Sequence, residues 1–217
     1  PLNEVAFSAY ARIQHDRAAT AAAFIKGVRL VMLAALPFYA GMAITAEPLV
    51  RVTLGDHWTD AAPIVRLLAL AMPFMTLQVL FSPACDALGR PGVGVRNGAT
   101  GAVILAIGFL VGVHWGLIGI ATAWIVCYPL YLAISCWRSL PVIGAPWPAV
   151  ATAIAPPLIA SLAMAAVVTG VDHATALPPL PRLAMLVAAG GATYAGWLIV
   201  FARPIVRETM ALIRNRG

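Results

Sequence analysis

Six apolar stretches, each long enough to cross a lipid bilayer, constrain this chain more than any other feature. They run over 27–46, 64–85, 97–113, 115–137, 149–171 and 183–202. A spanning helix needs roughly 20 mostly apolar residues. None of the stretches alternates with period two, and all are too long for a buried strand, so helices are expected. A helix also satisfies every backbone group internally, as lipid requires. Composition agrees. Only 10% of the 217 residues are charged, where a soluble domain carries about 25%, and the mean hydropathy is +0.91. The fold class read from the sequence is an all-α polytopic transmembrane bundle of six spans.

Charge fixes an expected orientation. With six spans both ends lie on one side. Of the 14 lysines and arginines, only Arg51, Arg66 and Arg182 fall on the other side. The positive-inside rule then puts both termini in the cytoplasm. Trp58 and Trp115 fall at the outer interface and Trp137 and Trp147 at the inner one, while Trp124 lies within a span and needs a packing role. The net charge of +6 is scattered through short loops and one terminus. Without a basic stripe and interleaved aromatics it gives no nucleic-acid partner. Cys85, Cys127 and Cys136 have neither metal nor disulfide spacing and read as small core hydrophobes. The opening Pro1-Leu2-Asn3-Glu4 carries no initiator methionine or signal peptide, so the expectation is the C-terminal part of a longer protein.

Between the second and third stretches lies Asp86 to Gly98, rich in glycine and arginine. It reads as a cytoplasmic hairpin loop. Gly89 is placed to end one helix in a left-handed conformation, with Pro91 as a stop. Asp86 and Arg90, four apart, are placed for a local pair. A dinucleotide fingerprint is excluded: the third glycine is missing, and a helix precedes where a strand is required.

A series of short motifs carries a resemblance. Phe7-Ser8-Ala9-Tyr10-Ala11-Arg12-Ile13-Gln14 precedes the first stretch and Ala46-Glu47-Pro48-Leu49-Val50 follows it. Then come Leu54-Gly55, Trp58, Ala61-Ala62-Pro63 and, after the second stretch, Ala87-Leu88-Gly89-Arg90-Pro91. Their order and spacing resemble the Wzx-type polysaccharide flippases of the MOP superfamily, from residue 5 to about residue 137. Ser8 stands where that family has proline. The resemblance implies two six-helix lobes in a bacterial inner membrane. Residues 1–137 would be the latter part of the second lobe and 138–217 two additional spans with a cytoplasmic tail. The implied partners are an undecaprenyl-diphosphate-linked oligosaccharide, the bilayer and a missing N-terminal lobe. The implied activity is transport of that lipid to the periplasmic leaflet by alternating access, with no enzymatic step and no cofactor.

On that footing the candidate substrate-binding residues are Lys26, Arg29, Arg66 and Arg90. Lys26 and Arg29 are three apart and share a helix face. Arginine can hold phosphate oxygens through two nitrogens. The competing account of the pair is snorkelling to inner headgroups. Arg66 competes as an interface anchor or partner of Asp60, and Arg90 and Arg96 as loop charges that set topology. Pro37, Pro73, Pro83, Pro129, Pro156 and Pro157 interrupt spans. The first four are the hinge or kink candidates, with static packing as the alternative. Gly108 and Gly112 form a GxxxG that permits close helix approach. The four histidines lack ligand spacing, so no metal is expected, and no nucleophile–base motif marks a catalytic residue. Three other classes stay open, a passive membrane subunit among them. A cation-coupled multidrug antiporter of the same superfamily wants an intramembrane carboxylate, and these spans show none. A membrane-embedded polymerase or acyltransferase wants catalytic polar residues, usually on a larger outer loop.

Overall fold

The structure, a computed structural model, describes residues 17–175 and 177–201. The Phe7–Gln14 motif, Ser8, Arg12 and the C-terminal arginines lie outside them. All regular elements in the described residues are helical. They are α1 (Arg17–Ile44), α2 (Ala46–Leu54), a 3-10 turn (Asp56–Ala61), α3 (Ala62–Val79), α4 (Phe81–Ala87), α5 (Pro91–Gly112), a second 3-10 turn (Val113–Trp115), α6 (Gly116–Ile143), α7 (Trp147–Ala174) and α8 (Pro179–Phe201).

Five stretches among them are long and apolar enough to cross a membrane. The longest, Pro91–Ile143, holds 53 residues and is broken at Val113–Trp115, where α6 folds back on α5. The sixfold count from the sequence therefore holds. Val103, Ile107, Leu110, Val126 and Leu130 of this hairpin are all more than half exposed. Such a face has lipid as its natural solvent. The protein is a multi-pass membrane protein.

Several expected boundaries move. Helix α1 begins ten residues before the first apolar stretch. The added segment includes an Ala-rich run, Ala18-Ala19-Thr20-Ala21-Ala22-Ala23, and alanine has the highest helix propensity although its hydropathy is modest. Lys26 and Arg29 are therefore inside a helix and not at its end. The expected loop at Asp86–Gly98 shrinks to Leu88–Arg90, because Pro91 opens α5 and does not stop α4. Proline suits a first helical turn, where its missing N–H is not needed. Gly94 then lets α5 approach α4: a methyl group there would stand 2.7 Å from Ser82 Oγ. Gly89 does take positive φ, at 69°. The Arg90 and Gly89 amides donate to the carbonyls of Cys85 (3.0 Å) and Asp86 (3.0 Å), closing the end of α4.

Prolines act in two ways. Helices α1, α3 and α4 end at Ile44, Val79 and Ala87, each four residues before a proline: Pro48, Pro83 and Pro91. Proline cannot donate to the carbonyl four residues back, and its ring crowds that group. Pro83 thus accounts for the break between α3 and α4. Pro37, Pro73, Pro129, Pro156 and Pro157 remain inside continuous helices.

The described residues divide into two compact units, one from 17–35 and 67–154 and the other from 36–66 and 155–201. In the first unit Phe24 and Phe81 pack with ring centroids 5.4 Å apart. The α5–α6 hairpin closes along a glycine stripe. A Cβ on Gly112 would stand 2.6 Å from the Gly119 carbonyl oxygen, and one on Gly108 would meet Cys127 and Ala123. Trp124 stacks on Tyr128 at 5.1 Å, which supplies its packing role. All three cysteines are free and buried. Polar pins join neighbouring helices: Gln78 Nε2 donates to Ser135 Oγ (3.0 Å) and, with both residues buried, Asn97 Nδ2 to Ser139 Oγ (2.9 Å). Such bonds tie helices together where apolar packing gains little against lipid. In the second unit the core is Met164, Val168 and Leu186, with Ile44, Val171 and Tyr194 packed on it.

Candidate functional site

Arg90 is the N-cap residue of α5. Around it Arg96, Trp137, Arg138 and Pro141 line a cavity of about 670 Å³. The hairpin register causes this meeting. Because α6 folds back on α5, its last turns run beside the first turns of α5. Arg138 is half-buried there, its Nη1 donating to Thr100 Oγ1 (2.7 Å) and to the Arg96 carbonyl oxygen (3.4 Å). Arg96 turns its Nε to the Gly92 carbonyl (3.3 Å). A recess beside Leu88 and Val142 adds Arg17 next to Arg90, with Arg17 donating to the Pro141 carbonyl.

All the partners named for these guanidiniums are neutral. Among the described residues, no carboxylate lies within ion-pair distance of Arg90, Arg96 or Arg138. Asp86, expected opposite Arg90, accepts from Ser82 Oγ instead (3.2 Å). The reason is the turn at Gly89: Asp86 and Arg90 do not lie on one continuous helix, so their spacing of four brings no shared face.

Lys26 and Arg29 are half-buried in α1, a helix long and apolar enough to cross a membrane, and charge within such a span is costly. Arg66 has a different situation. It is exposed, and its Nε donates to the Ala43 carbonyl (3.1 Å) in the last turn of α1, where helix carbonyls lack helical donors. Asp60 is not its partner. Of the sequence candidates, Arg90 meets two other arginines, Lys26 and Arg29 share one helix, and Arg66 caps a helix end.

The second unit holds an ion-pair network. Arg182 grips Asp172 through two nitrogens, at 2.6 and 2.9 Å, and reaches Glu47 at 3.9 Å. Glu47 also pairs with Arg51 (3.2 Å), which lies 3.9 Å from Asp56. Neither this network nor the place of Arg138 and Trp137 in the cavity was singled out from the sequence. Reflecting positions about the tip at Val113–Trp115 sets Arg138 opposite Arg90, at the end of the hairpin where the cavity lies. Among the described residues, no group of His, Cys, Asp or Glu side chains is placed to hold a metal ion.

Three comparisons bear on this arrangement. The model of a family described as "Polysaccharide biosynthesis protein" matches residues 1–63, which include all of α1. The teichuronic acid biosynthesis protein TuaB of Bacillus subtilis (strain 168) is 24% identical over 223 residues, covering 100% of this chain. The solved structure of the lipid II flippase MurJ in an inward closed conformation matches with a TM-score of 0.79 over 95% of this chain, at 15% identity. This chain spans 45% of the length of TuaB and 43% of that of MurJ. The structural match shows the fold, an all-helical membrane bundle of the MurJ type, and the three together bear out the resemblance to Wzx-type flippases of the MOP superfamily.

Proposed function

We propose that this chain forms the latter half of a flippase that carries an undecaprenyl-diphosphate-linked oligosaccharide across the inner membrane for cell-surface polysaccharide synthesis. The observation that carries the reading is positive charge inside a spanning helix: Lys26 and Arg29 lie half-buried in α1, within the segment matched by the polysaccharide-biosynthesis model. A lipid diphosphate brings negative charge that must be neutralised on its way across. Guanidinium and ammonium groups on such a helix would supply that neutralisation, and arginine adds two-nitrogen recognition of phosphate. Intramembrane charge of this kind usually marks a substrate path.

In this reading residues 1–137 complete the second lobe and 138–217 add a helix pair. The lipid tail stays in the bilayer while sugar and diphosphate pass through a polar cavity between lobes. Binding must differ between the inward-open and outward-open states for release to follow capture. Lys26 and Arg29 bind the diphosphate, Arg90 meets it at the inner face and Arg66 at the outer face. Pro37, Pro73, Pro83 and Pro129 mark where helices bend between states. Both ends of the segment face the cytoplasm. The carboxylates Glu47 and Asp172 each face arginine, which leaves the antiporter alternative without the free coupling acid it would want from them.

The test is translocation by the full-length protein in proteoliposomes, with an undecaprenyl-diphosphate oligosaccharide as cargo and a cationic dye as control. Movement of the lipid-linked sugar alone is expected. Movement of the dye alone would replace this reading with a drug antiporter.

A further inference from the structure

The cavity at Arg90 has an apolar neighbour. Trp137 and Pro141 line it on one side and on the other line a groove of about 530 Å³ with Cys136, Leu140, Ala145 and Trp147. Both belong to the first unit. Trp137 is 75% exposed and Trp147 59%, as expected of indole rings that sit at a membrane–water boundary. One end of the combined surface offers three guanidiniums and the first turn of α5, and no carboxylate lines it; Asp86 lies beside that turn, 3.8 Å from where a Cβ on Gly94 would stand. The other end offers carbon. The N-terminus of a 22-residue helix adds partial positive charge to the same end.

We propose that cavity and groove together form a binding site for an anionic membrane phospholipid. Arg90, Arg96 and Arg138 take the phosphate oxygens, and the Trp137–Trp147 groove takes the first part of the hydrocarbon chain. Free phosphate would use the arginines but not the groove. A zwitterionic lipid would use the groove but bring its own cation to the arginines. The amphiphile with net negative charge uses both. Arg138 is already held by Thr100 and the Arg96 carbonyl, so it loses little side-chain freedom on binding. The site goes beyond the transport reading, since it would hold an anionic membrane phospholipid whether or not the protein moves a lipid-linked sugar.

Native mass spectrometry of the full-length protein in a neutral detergent tests this. Phosphatidylglycerol competes with chain-matched phosphatidylcholine, and separate arms use an isoprenyl diphosphate and inorganic phosphate. The wild type is expected to retain one more phosphatidylglycerol than the Arg90→Gln, Arg96→Gln, Arg138→Gln triple variant. Each arginine is expected to contribute roughly fivefold to the preference. Stronger retention of the isoprenyl diphosphate than of phosphatidylglycerol would overturn the phospholipid assignment and make this surface part of the transport path. Equal retention of anionic lipid by wild type and triple variant would overturn the proposal. So would displacement of the lipid by millimolar inorganic phosphate together with unchanged retention in Trp147→Ala, which would make this a soluble-anion site. Should the triple variant not elute as a folded species, Arg90→Gln alone decides. This exposed side chain should cost roughly fivefold in preference, and no change would refute the site.

Discussion

Arginine serves two regions of this molecule differently. In the second unit Arg182 and Asp172 face each other through two short bonds, and Glu47, Arg51 and Asp56 extend the network. In the first unit Arg90, Arg96 and Arg138 converge on a cavity that no described carboxylate lines. Charge neutralised inside the protein ties helices together. Charge left for an outside anion costs stability in the empty protein through mutual repulsion, and that cost is offset only when a ligand arrives. On the proposed reading, the difference separates an arginine that holds the fold from one that holds a ligand.

Removing one partner of the Asp172–Arg182 pair should give the largest change in stability. Arg182→Ala leaves a carboxylate that is only 18% exposed. The expected loss is roughly 2 kcal/mol, less than the ~3–5 kcal/mol of a fully buried pair because both side chains keep some solvent contact. Thermal unfolding in detergent reads it. An unchanged Tm would remove the contrast between the two regions. Replacing both members, Asp172→Leu with Arg182→Met, sharpens it. Most of the loss should return, because no orphan charge remains. A double variant as unstable as the single one would mean that packing and not charge is at stake. The smallest effect belongs to Arg90→Gln. It touches no described carboxylate, so the change should stay within about 0.5 kcal/mol and should not be a large loss. A loss as large as that of Arg182→Ala would make Arg90 a structural residue.

The sequence shows the number of spans because lipid imposes a minimum apolar length, and hydropathy measures that directly. Helix ends were less legible. The alanines before Gly27 extend α1 by propensity, which a hydropathy reading undervalues. The glycines after Pro91 looked like a turn because glycine serves both turns and close helix contacts. Only the position of Ser82 on α4 shows that Gly94 is there for contact. Arg90 stood out because it sits in a recognisable motif. Arg138 did not, since its role depends on the register of the α5–α6 hairpin, a tertiary fact. Asp172 and Arg182 were invisible for the same reason: ten residues apart, they meet only because the chain reverses between α7 and α8.

The proposed transport path rests on positive charge in a helix long and apolar enough to cross a membrane. Translocation of the undecaprenyl-diphosphate oligosaccharide by full-length Arg29→Ala, at a membrane level equal to wild type, tests it most directly. Loss of a charged hydrogen bond to phosphate should slow transport by about tenfold or more. Transport at the wild-type rate would contradict the assignment of Arg29 to the substrate path.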